Sequence, residues 1–518
     1  MFDRARGGQC MARRSKISIL MAVAAAAMAT SACASQPEPL GPANATGPAN
    51  ATGPANTTGP GFARPYPLPR APAQPLRPDQ VSTILATLKD AESQGFRAGE
   101  FYPANLDAEV YAPDPTFRAQ GEALLRANII RYARAQHGLR ITNWPKNWAM
   151  KPPPYDAEND FNLAVQEDRV AQWIEGLPPP FDRYRLLRTA LGRYRSIVTE
   201  GGWPTVETGP ELKLGSAGLR VVALRQRLMA EEPTLNLDTT SKQFDEALAE
   251  AVKYYQRRNG FNATGKVDGL TLEAMNVSAQ SRVLQIIANM ERWRWEPRLW
   301  PATRIEVNIA AGEMDLFEEN ALALEMRAAP GRPDDQTPLL TSQIESVVLN
   351  PPWNVPATIA EKEYYTKEAA HPGYLAAHGF RFIDTPDGGR RLQQKSGAKS
   401  ALGQIKFDFP NPFAVYLHDT PTRRAFSLEA RDVSHGCVRL ERPLDLADKV
   451  FAADETWTPD RVRAAVATGK TQRVQLERPL PVFLMYWTVF PDVKGRMDFR
   501  NDVYDWDSQL LGLIDAVR

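Results

Sequence analysis

The hydrophobic pattern changes its period once, near residue 302, and this change limits the folds open to the chain. Before it, apolar residues recur at helical spacing, as Ile84, Leu85 and Leu88 do. After it they alternate, as in Ile305, Val307 and Ile309, which is the period of a strand. We therefore predict a multidomain α+β chain that is helical in its first part and mainly β from residue 302 to 518.

Composition excludes several classes of protein. The 518 residues are 43% hydrophobic, which suffices for real cores and excludes wholesale disorder. At roughly 150 residues per domain we expect about three domains. The 62 basic and 61 acidic residues nearly cancel, so the chain lacks the basic excess of a nucleic-acid-binding protein.

Residues 1–33 have the pattern of a bacterial secretory signal peptide. Basic residues precede an apolar stretch from 17 to 28, and small residues follow. Met11 is an alternative start, because residues 11–33 alone make a complete signal. The sequence Thr30-Ser31-Ala32-Cys33 resembles a lipobox, although Thr30 replaces the usual leucine. We expect a periplasmic protein that is lipidated at Cys33 and anchored to the outer membrane; ordinary cleavage near Ala32 or Ala34 is the alternative.

Three further segments precede the β region. Residues 34–78 are rich in proline, glycine and alanine, which predicts a disordered linker. Residues 79–200 contain helical stripes and predict a helical scaffold domain. Residues 209–277 predict a small three-helix unit with a turn at 264–269. Within the β region, the charged and glycine-rich insert 354–400 predicts a lid over a binding site.

The residues with chemical potential lie in two short segments of the β region. The first is Tyr416-Leu417-His418-Asp419-Thr420, where alternation from Phe413 predicts that Tyr416 and His418 share one face of a strand. The second is Ser434-His435-Gly436-Cys437-Val438-Arg439. We expect Cys437 in a loop directly ahead of a helix that begins near Pro443. A lone thiol beside histidines is a candidate nucleophile.

These residue types suggest an acyl-transfer site. His418 is the candidate base for the Cys437 thiol, with a backbone carbonyl near Asp419 fixing its tautomer. The N–H groups of Gly436 and Cys437 are candidates for an oxyanion hole, and the Arg439 guanidinium suits a substrate carboxylate.

Three alternatives stay open for these residues. Cys437 could be an inert buried thiol. His418, His435 and Cys437 could ligate zinc, although no zinc-type spacing is present. Arg439 could pair with a surface acid.

At this point the sequence resembles a known family. His418 and the 434–439 segment match the L,D-transpeptidase (YkuD-type) catalytic signature. The segments 348–356, 371–374, 403–407 and 416–421 are similar to the larger YcbB-type branch, which carries a lid insert. Leu212-Lys213-Leu214-Gly215, the helix around 224–228 and the Gly265–Gly269 turn resemble the peptidoglycan-binding domain type 1. Ala328–Pro333 departs from the family's strand and turn, so the resemblance does not fix the strand pairing there.

The resemblance implies a function. Cys437 would attack a donor stem tetrapeptide of peptidoglycan, release D-alanine and pass the acyl group to a neighbouring stem amine, giving a 3→3 cross-link. His418 would move the protons. The positions expected to bind substrate are Trp353, Tyr416, Ser434, His435 and Arg439. The resemblance implies peptidoglycan stem peptides and glycan as partners, a carbapenem as covalent inhibitor, and neither a metal nor an organic cofactor.

Two other functions remain open. The same acyl-enzyme could pass its acyl group to water, as an L,D-carboxypeptidase, or to a protein lysine, as a protein–peptidoglycan ligase. A function of another class is a non-catalytic cell-wall-binding lipoprotein.

Overall fold

A computed structural model describes residues 70–386, 388–397, 399–492 and 494–516. All described residues belong to one compact unit. The predicted signal peptide, Cys33 and most of the predicted linker lie outside the described residues. Within the described ranges, no helix is long and apolar enough to span a bilayer.

The first part of this unit is helical. Its helices are α1 (Pro78–Lys89), α2 (Leu106–Val110), α3 (Pro115–Gln136), α4 (Ala157–Gln166), α5 (Val170–Glu175) and α6 (Asp182–Thr199). Leu88, Ile129 and Phe161 belong to a core shared by α1, α3 and α4. Helix α6 differs, because its buried face contributes to the core of the following β domain.

A small helical unit follows, with its own core. Its helices are α7 (Leu219–Glu231), α8 (Glu246–Arg258) and α9 (Gly269–Met275). The side chains of Asp245 and Asp268 cap α8 and α9 by accepting backbone N–H groups, which satisfies donors that a helix start leaves unpaired. Asp268 belongs to the turn predicted at 264–269.

Helix α10 (Ala279–Trp293) connects this unit to the β domain. Trp293 is 1% exposed, and its ring stacks on Trp487 with centroids 4.6 Å apart and on Trp300 at 5.6 Å. Large aromatic side chains bury much apolar surface, so this cluster fastens α10 to the β domain.

Eight of the described strands close into a barrel. The strands are β1 (Arg304–Asn308), β2 (Glu313–Glu318), β3 (Ala321–Ala329), β4 (Leu340–Leu349), β5 (Trp353–Asn354), β6 (Phe380–Asp384), β7 (Arg390–Gln394), β8 (Ile405–Asp408), β9 (Leu417–His418), β10 (Val438–Leu440), β11 (Gln472–Met485), β12 (Val489–Pro491) and β13 (Met497–Phe499). The barrel order is β1-β11-β4-β8-β9-β10-β3-β2. The pairs β1–β11 and β9–β10 are parallel, and the other pairs are antiparallel. The chain is therefore multidomain α+β, as predicted.

The insert predicted as a lid has its own small core. It contains α11 (Ala357–Ile359), a π-helical turn (Ala360–Tyr364), α12 (Tyr365–Ala370), α13 (Tyr374–Ala377) and the three-stranded sheet β5-β7-β6. Trp353, Leu375 and Leu392 are buried together. Three more helices follow the insert: α14 (Pro443–Val450), α15 (Pro459–Ala467) and α16 (Trp506–Ala516).

Two local predictions are wrong. The strand expected from Phe413 is only the two residues of β9, because Ala414 has φ +54° and breaks the extended backbone. Cys437 does not directly precede a helix, since β10 lies between it and α14. The segment Ala328–Pro333 departs from the family pattern, but its strand pairing is regular. Ala328 and Ala329 pair with β10.

Candidate active site

The parallel pairing of β9 and β10 brings the candidate residues together. Val438 is opposite Leu417, and Arg439 is opposite His418. Leu417 and Val438 are fully buried in the barrel core. Because side chains alternate along a strand, His418 and Arg439 point to the other face. Tyr416 and Cys437 come directly before the two strands, and the Tyr416 and His418 rings lie 5.6 Å apart.

His418 is fixed as a neutral base. It is 4% exposed, and its Nδ1 lies 2.5 Å from the Asp419 carbonyl oxygen, as predicted. That contact leaves Nε2 as the proton acceptor. Burial lowers the pKa of His418 to about 3; the positive charges of Arg439 and Lys406 also lower it, and the Asp419 carbonyl opposes them.

Cys437 is held as a neutral thiol. Its Sγ lies 3.9 Å from the Ala414 carbonyl oxygen. Burial raises the pKa of the thiol, although Tyr416, Lys406 and Arg439 act in the opposite direction. A neutral thiol needs a base before it can attack, and His418 on the same face is the neutral acceptor.

Arg439 has an unpaired guanidinium. No carboxylate of the described residues lies within ion-pair distance of it, and its Nε is buried without a hydrogen-bond partner. Burial lowers the pKa of Arg439. Arg439 therefore does not pair with a surface acid among the described residues. A ligand carboxylate would supply the missing hydrogen-bond acceptor for its guanidinium.

Ser434 stabilises the loop that carries Cys437. It is 2% exposed, and its Oγ donates to the Cys437 carbonyl at 2.5 Å and accepts from Gly436 N–H at 3.1 Å. This geometry disagrees with the predicted substrate contact of Ser434. It also disagrees with a free Gly436 N–H in the oxyanion hole, because Ser434 occupies that donor. Cys437 N–H has no such partner among the described residues.

His435 contacts the insert that follows Trp353. Its Nε2 lies 2.5 Å from Glu363 Oε1 in the π-helical turn, and Arg332 approaches the same oxygen at 3.5 Å. The sequence predicted His435 as a substrate contact but did not predict Glu363. One ring nitrogen of His435 is therefore engaged with the insert.

The segment that departs from the family pattern supports the nucleophile loop. Thr337 Oγ1 donates to the Gly436 carbonyl at 2.7 Å and accepts from Gly331 N–H at 2.8 Å. A Cβ at Gly331 would lie 2.0 Å from the Asp335 carbonyl oxygen, so no larger residue fits without movement. Ser434 N–H also donates to the Pro330 carbonyl at 2.9 Å.

Two more side chains border the candidate site. Trp353 is 7% exposed and packs on Tyr364 of the lid with ring centroids 5.7 Å apart. Lys406 was not predicted, although it lies in the 403–407 motif. Its Nζ is 4.1 Å from the centre of the Tyr416 ring and 3.0 Å from Asp408. This cation adds to the positive charge near the thiol.

The zinc alternative finds no ligand set. Across the described ranges, no three His, Cys, Asp or Glu side chains are arranged to hold a metal ion. The Nδ1 of His418 is also taken by the Asp419 carbonyl.

Comparison with known families identifies three segments. Residues 302–488 match the L,D-transpeptidase catalytic domain family (YkuD), residues 76–191 match a scaffold domain, and residues 217–275 match a "Putative peptidoglycan binding domain". A relative from Haemophilus influenzae, described as a "Putative L,D-transpeptidase", is 32% identical over 250 residues. The match covers 45% of this chain and 50% of the relative, so the chain spans half of that protein's length.

Solved structures give a weaker likeness. L,D-transpeptidase 3 from Mycobacterium tuberculosis, in complex with a faropenem-derived adduct, is 16% identical, with 36% of this chain and 60% of that chain covered and a TM-score of 0.18. An L,D-transpeptidase from Mycobacterium smegmatis is 16% identical, with 36% and 58% covered and a TM-score of 0.19. Such low scores carry no argument about function. The sequence matches, however, show that this chain contains a catalytic domain of the L,D-transpeptidase (YkuD) family together with a peptidoglycan-binding domain.

Proposed function

We propose that the chain is an L,D-transpeptidase that forms 3→3 cross-links between peptidoglycan stem peptides. The observation that carries the proposal is the shared face of β9 and β10. It holds the neutral imidazole of His418 and the unpaired guanidinium of Arg439, and the neutral thiol of Cys437 comes directly before β10. These groups supply a base, a nucleophile and a carboxylate anchor.

The reaction has two halves. His418 Nε2 takes the thiol proton as Cys437 Sγ bonds to the carbonyl carbon of the third donor residue. The peptide bond to the terminal D-alanine then breaks, and its nitrogen takes the proton from His418. An acceptor amine next attacks the thioester and loses its proton to His418, the C–S bond breaks, and His418 returns that proton to the Cys437 sulfur. The Cys437 N–H is the donor available to the developing oxyanion.

The substrate side chains have separate roles in this proposal. The Arg439 guanidinium binds a donor carboxylate, because a buried unpaired cation gains most from an anion. Tyr416 and Trp353 form the apolar wall beside the thiol. His435 acts through Glu363 by holding the lid, which excludes water from the thioester.

Acylation of the thiol tests the proposal directly. The chain is incubated with a carbapenem, a β-lactam that a reactive thiol opens, and its intact mass is measured beside Cys437→Ala and His418→Ala. We expect an increase of one β-lactam, lost in the first variant and at least about tenfold slower in the second. No adduct on the unmodified chain would refute the proposed acyl-enzyme and favour the non-catalytic wall-binding function.

The acceptor requires a second assay, because all three acceptors share the acyl-enzyme. With purified stem tetrapeptide, cross-linked dimer indicates transpeptidation and tripeptide indicates hydrolysis. A lysine-bearing protein peptide in the same mixture tests attachment. We expect dimer as the main product, since the lid covers the thioester.

Location is part of the same proposal. Peptidoglycan lies outside the cytoplasmic membrane, which agrees with the secretory pattern of residues 1–33. We propose a periplasmic lipoprotein anchored through Cys33, whose linker lets the catalytic domain reach the wall. Metabolic labelling with an alkynyl fatty acid should mark the chain, and Cys33→Ala should remove the label. An equal label in the variant would contradict the anchor.

A further inference from the structure

We propose that a cleft between the peptidoglycan-binding domain and the barrel binds a second stem peptide, as a zwitterionic ligand. The cleft has a volume of about 510 Å³, within the range of roughly 300–1,000 Å³ typical of ligand sites. One wall is the end of α8 and the residues after it, 257–262. The other wall contains β2, β3 and the loop 428–431 that leads to the nucleophile.

Six of the charged side chains that line the cleft make no ion pair among the described residues. Three lining arginines and three lining glutamates have no oppositely charged side chain within 4.0 Å among the described residues. The arginines are Arg257, Arg327 and Arg431, and the glutamates are Glu325, Glu429 and Glu441. A ligand with groups of both signs could bind between these side chains, because hydrogen bonds between oppositely charged groups are stronger than those between neutral groups.

The cleft also contains a buried unsatisfied donor. The Arg500 side chain is 9% exposed, and its Nε has no hydrogen-bond partner. Its nearest carboxylate is Glu313, at 3.4 Å. Burial lowers the pKa of the neighbouring Arg431, and Glu313 and Glu441 partly oppose this effect. The Arg431 guanidinium already donates to the carbonyls of Ala311, Gly312 and Leu428, so an anion in the cleft would offset its charge without completing its hydrogen bonds.

Glycines keep room for these guanidinium groups. A Cβ at Gly260 would lie 2.8 Å from Arg500 Nε, and one at Gly312 would lie 3.0 Å from Arg431 Nε. Both glycines have positive φ, +74° and +59°, which other residues adopt with strain. The two walls are also joined directly, because Asn262 N–H donates to Glu429 at 3.0 Å.

The ligand class follows from these charges. A peptide with free carboxylates and a free amine would place its carboxylates on the arginines and its amine beside Glu325. A peptidoglycan stem peptide has this composition, and this identification rests on the proposed function. Since the cleft joins the wall-binding domain to the nucleophile loop, a stem bound there would keep the polymer beside the active site between turnovers.

Photo-crosslinking of the full chain tests the cleft. The probe is a stem tetrapeptide with a diazirine at its amino end, which leaves the side-chain amine of its third residue free to bind beside Glu325. The background variant is Cys437→Ala, so that no thioester forms. We expect label on residues 257–262 and 428–442. Arg257→Ala and Glu325→Ala should each reduce that label about tenfold, as expected for one charged hydrogen bond. The label near Trp353 should stay unchanged.

Arg188→Ala is the matched control, since Arg188 is an exposed arginine on α6; it should alter neither label. Absence of label in the cleft, or cleft label that both variants leave unchanged, would overturn the proposal. Failure of the transpeptidase proposal is distinct: it appears as a missing carbapenem adduct on unmodified Cys437, whatever the cleft binds.

Discussion

Replacing Glu363 with glutamine should loosen the lid without changing the nucleophile. In the structure Glu363 is 2.5 Å from His435 Nε2, 3.5 Å from Arg332 and 3.8 Å from Lys367. Burial raises the pKa of Glu363, but His435, Lys367 and Arg332 outweigh it, so the pKa is lowered overall. The carboxylate is therefore charged at neutral pH, and Glu363→Gln removes that charge while nearly keeping the shape.

The size of the effect follows from the burial of the pair. The side chains of His435 and Glu363 are 23% and 27% exposed, between a surface ion pair and a buried one. We therefore assign the contact about 1–2 kcal/mol, which corresponds to a roughly 5–30-fold rise in the open fraction of the lid. If water reaches the thioester only when the lid is open, the hydrolysis-to-transfer ratio should rise by the same factor.

The assay measures tripeptide and cross-linked dimer by mass spectrometry from the same stem tetrapeptide reaction. Glu361→Gln is the control, because Glu361 is exposed on the same segment and makes no ion pair among the described residues. Its ratio should stay near that of the unmodified chain. An equal hydrolysis-to-transfer ratio in Glu363→Gln and Glu361→Gln would refute the idea that the His435–Glu363 contact holds the lid closed. The same conclusion would follow if deletion of residues 357–377 caused no rise in hydrolysis.

Three further predictions concern the base, the core and the nucleophile loop. The pKa of His418 is about 3, against an ordinary 6.5, so the unfolded chain binds the proton at a higher pH than the folded chain does. The free energy of unfolding should therefore fall as the pH drops from 6.5 toward 3. His418→Asn should reduce this dependence on pH, as measured by urea titrations. Unchanged slopes would contradict the assignment. Trp293→Ala should lower the free energy of unfolding by about 3–5 kcal/mol, whereas Leu299→Ala, at a residue 70% exposed, should change it by less than about 0.5 kcal/mol; similar losses would show that the tryptophan cluster is not central. Thr337→Val leaves Gly331 N–H unpaired, so carbapenem acylation should slow about tenfold with little change in melting temperature relative to Trp293→Ala, and an unchanged rate would show that the loop needs no such support.

Local patterns predicted the elements and the main chemical residues. Alternation identified β1 through Ile305 and Val307, and the spacing of leucines identified the helical first part. The tautomer contact of His418 was also predicted, because a backbone carbonyl adjacent in sequence is a local feature. These successes share one cause: each depends on residues within a few positions of each other.

The parts that sequence did not predict depend on tertiary contacts. Glu363 reaches His435 across 72 residues, and Thr337 reaches Gly436 across 99. No local pattern reports such pairs. Ser434 was misassigned for the same reason, since its burial by the Pro330 segment turns its hydroxyl toward the loop instead of the substrate. The positive φ of Ala414 gives no sequence signal either, because alanine rarely adopts it.

The pKa shifts favour a protonated thiol in the resting site. The pKa of the thiol is raised and the pKa of the imidazole is lowered, so the pair is neutral and not a thiolate–imidazolium pair. Oxidants and disulfides react with the thiolate, and an exported chain would meet both. Cys437 is the one free cysteine among the described residues. No second thiol there can reduce an oxidised Cys437 by forming a disulfide with it. We therefore expect iodoacetamide to alkylate Cys437 more slowly at pH 7 than a free cysteine peptide, with a rate that keeps rising above pH 9. A rate that levels off near pH 7 would mean a preformed thiolate, and the proton transfer to His418 would then precede substrate binding.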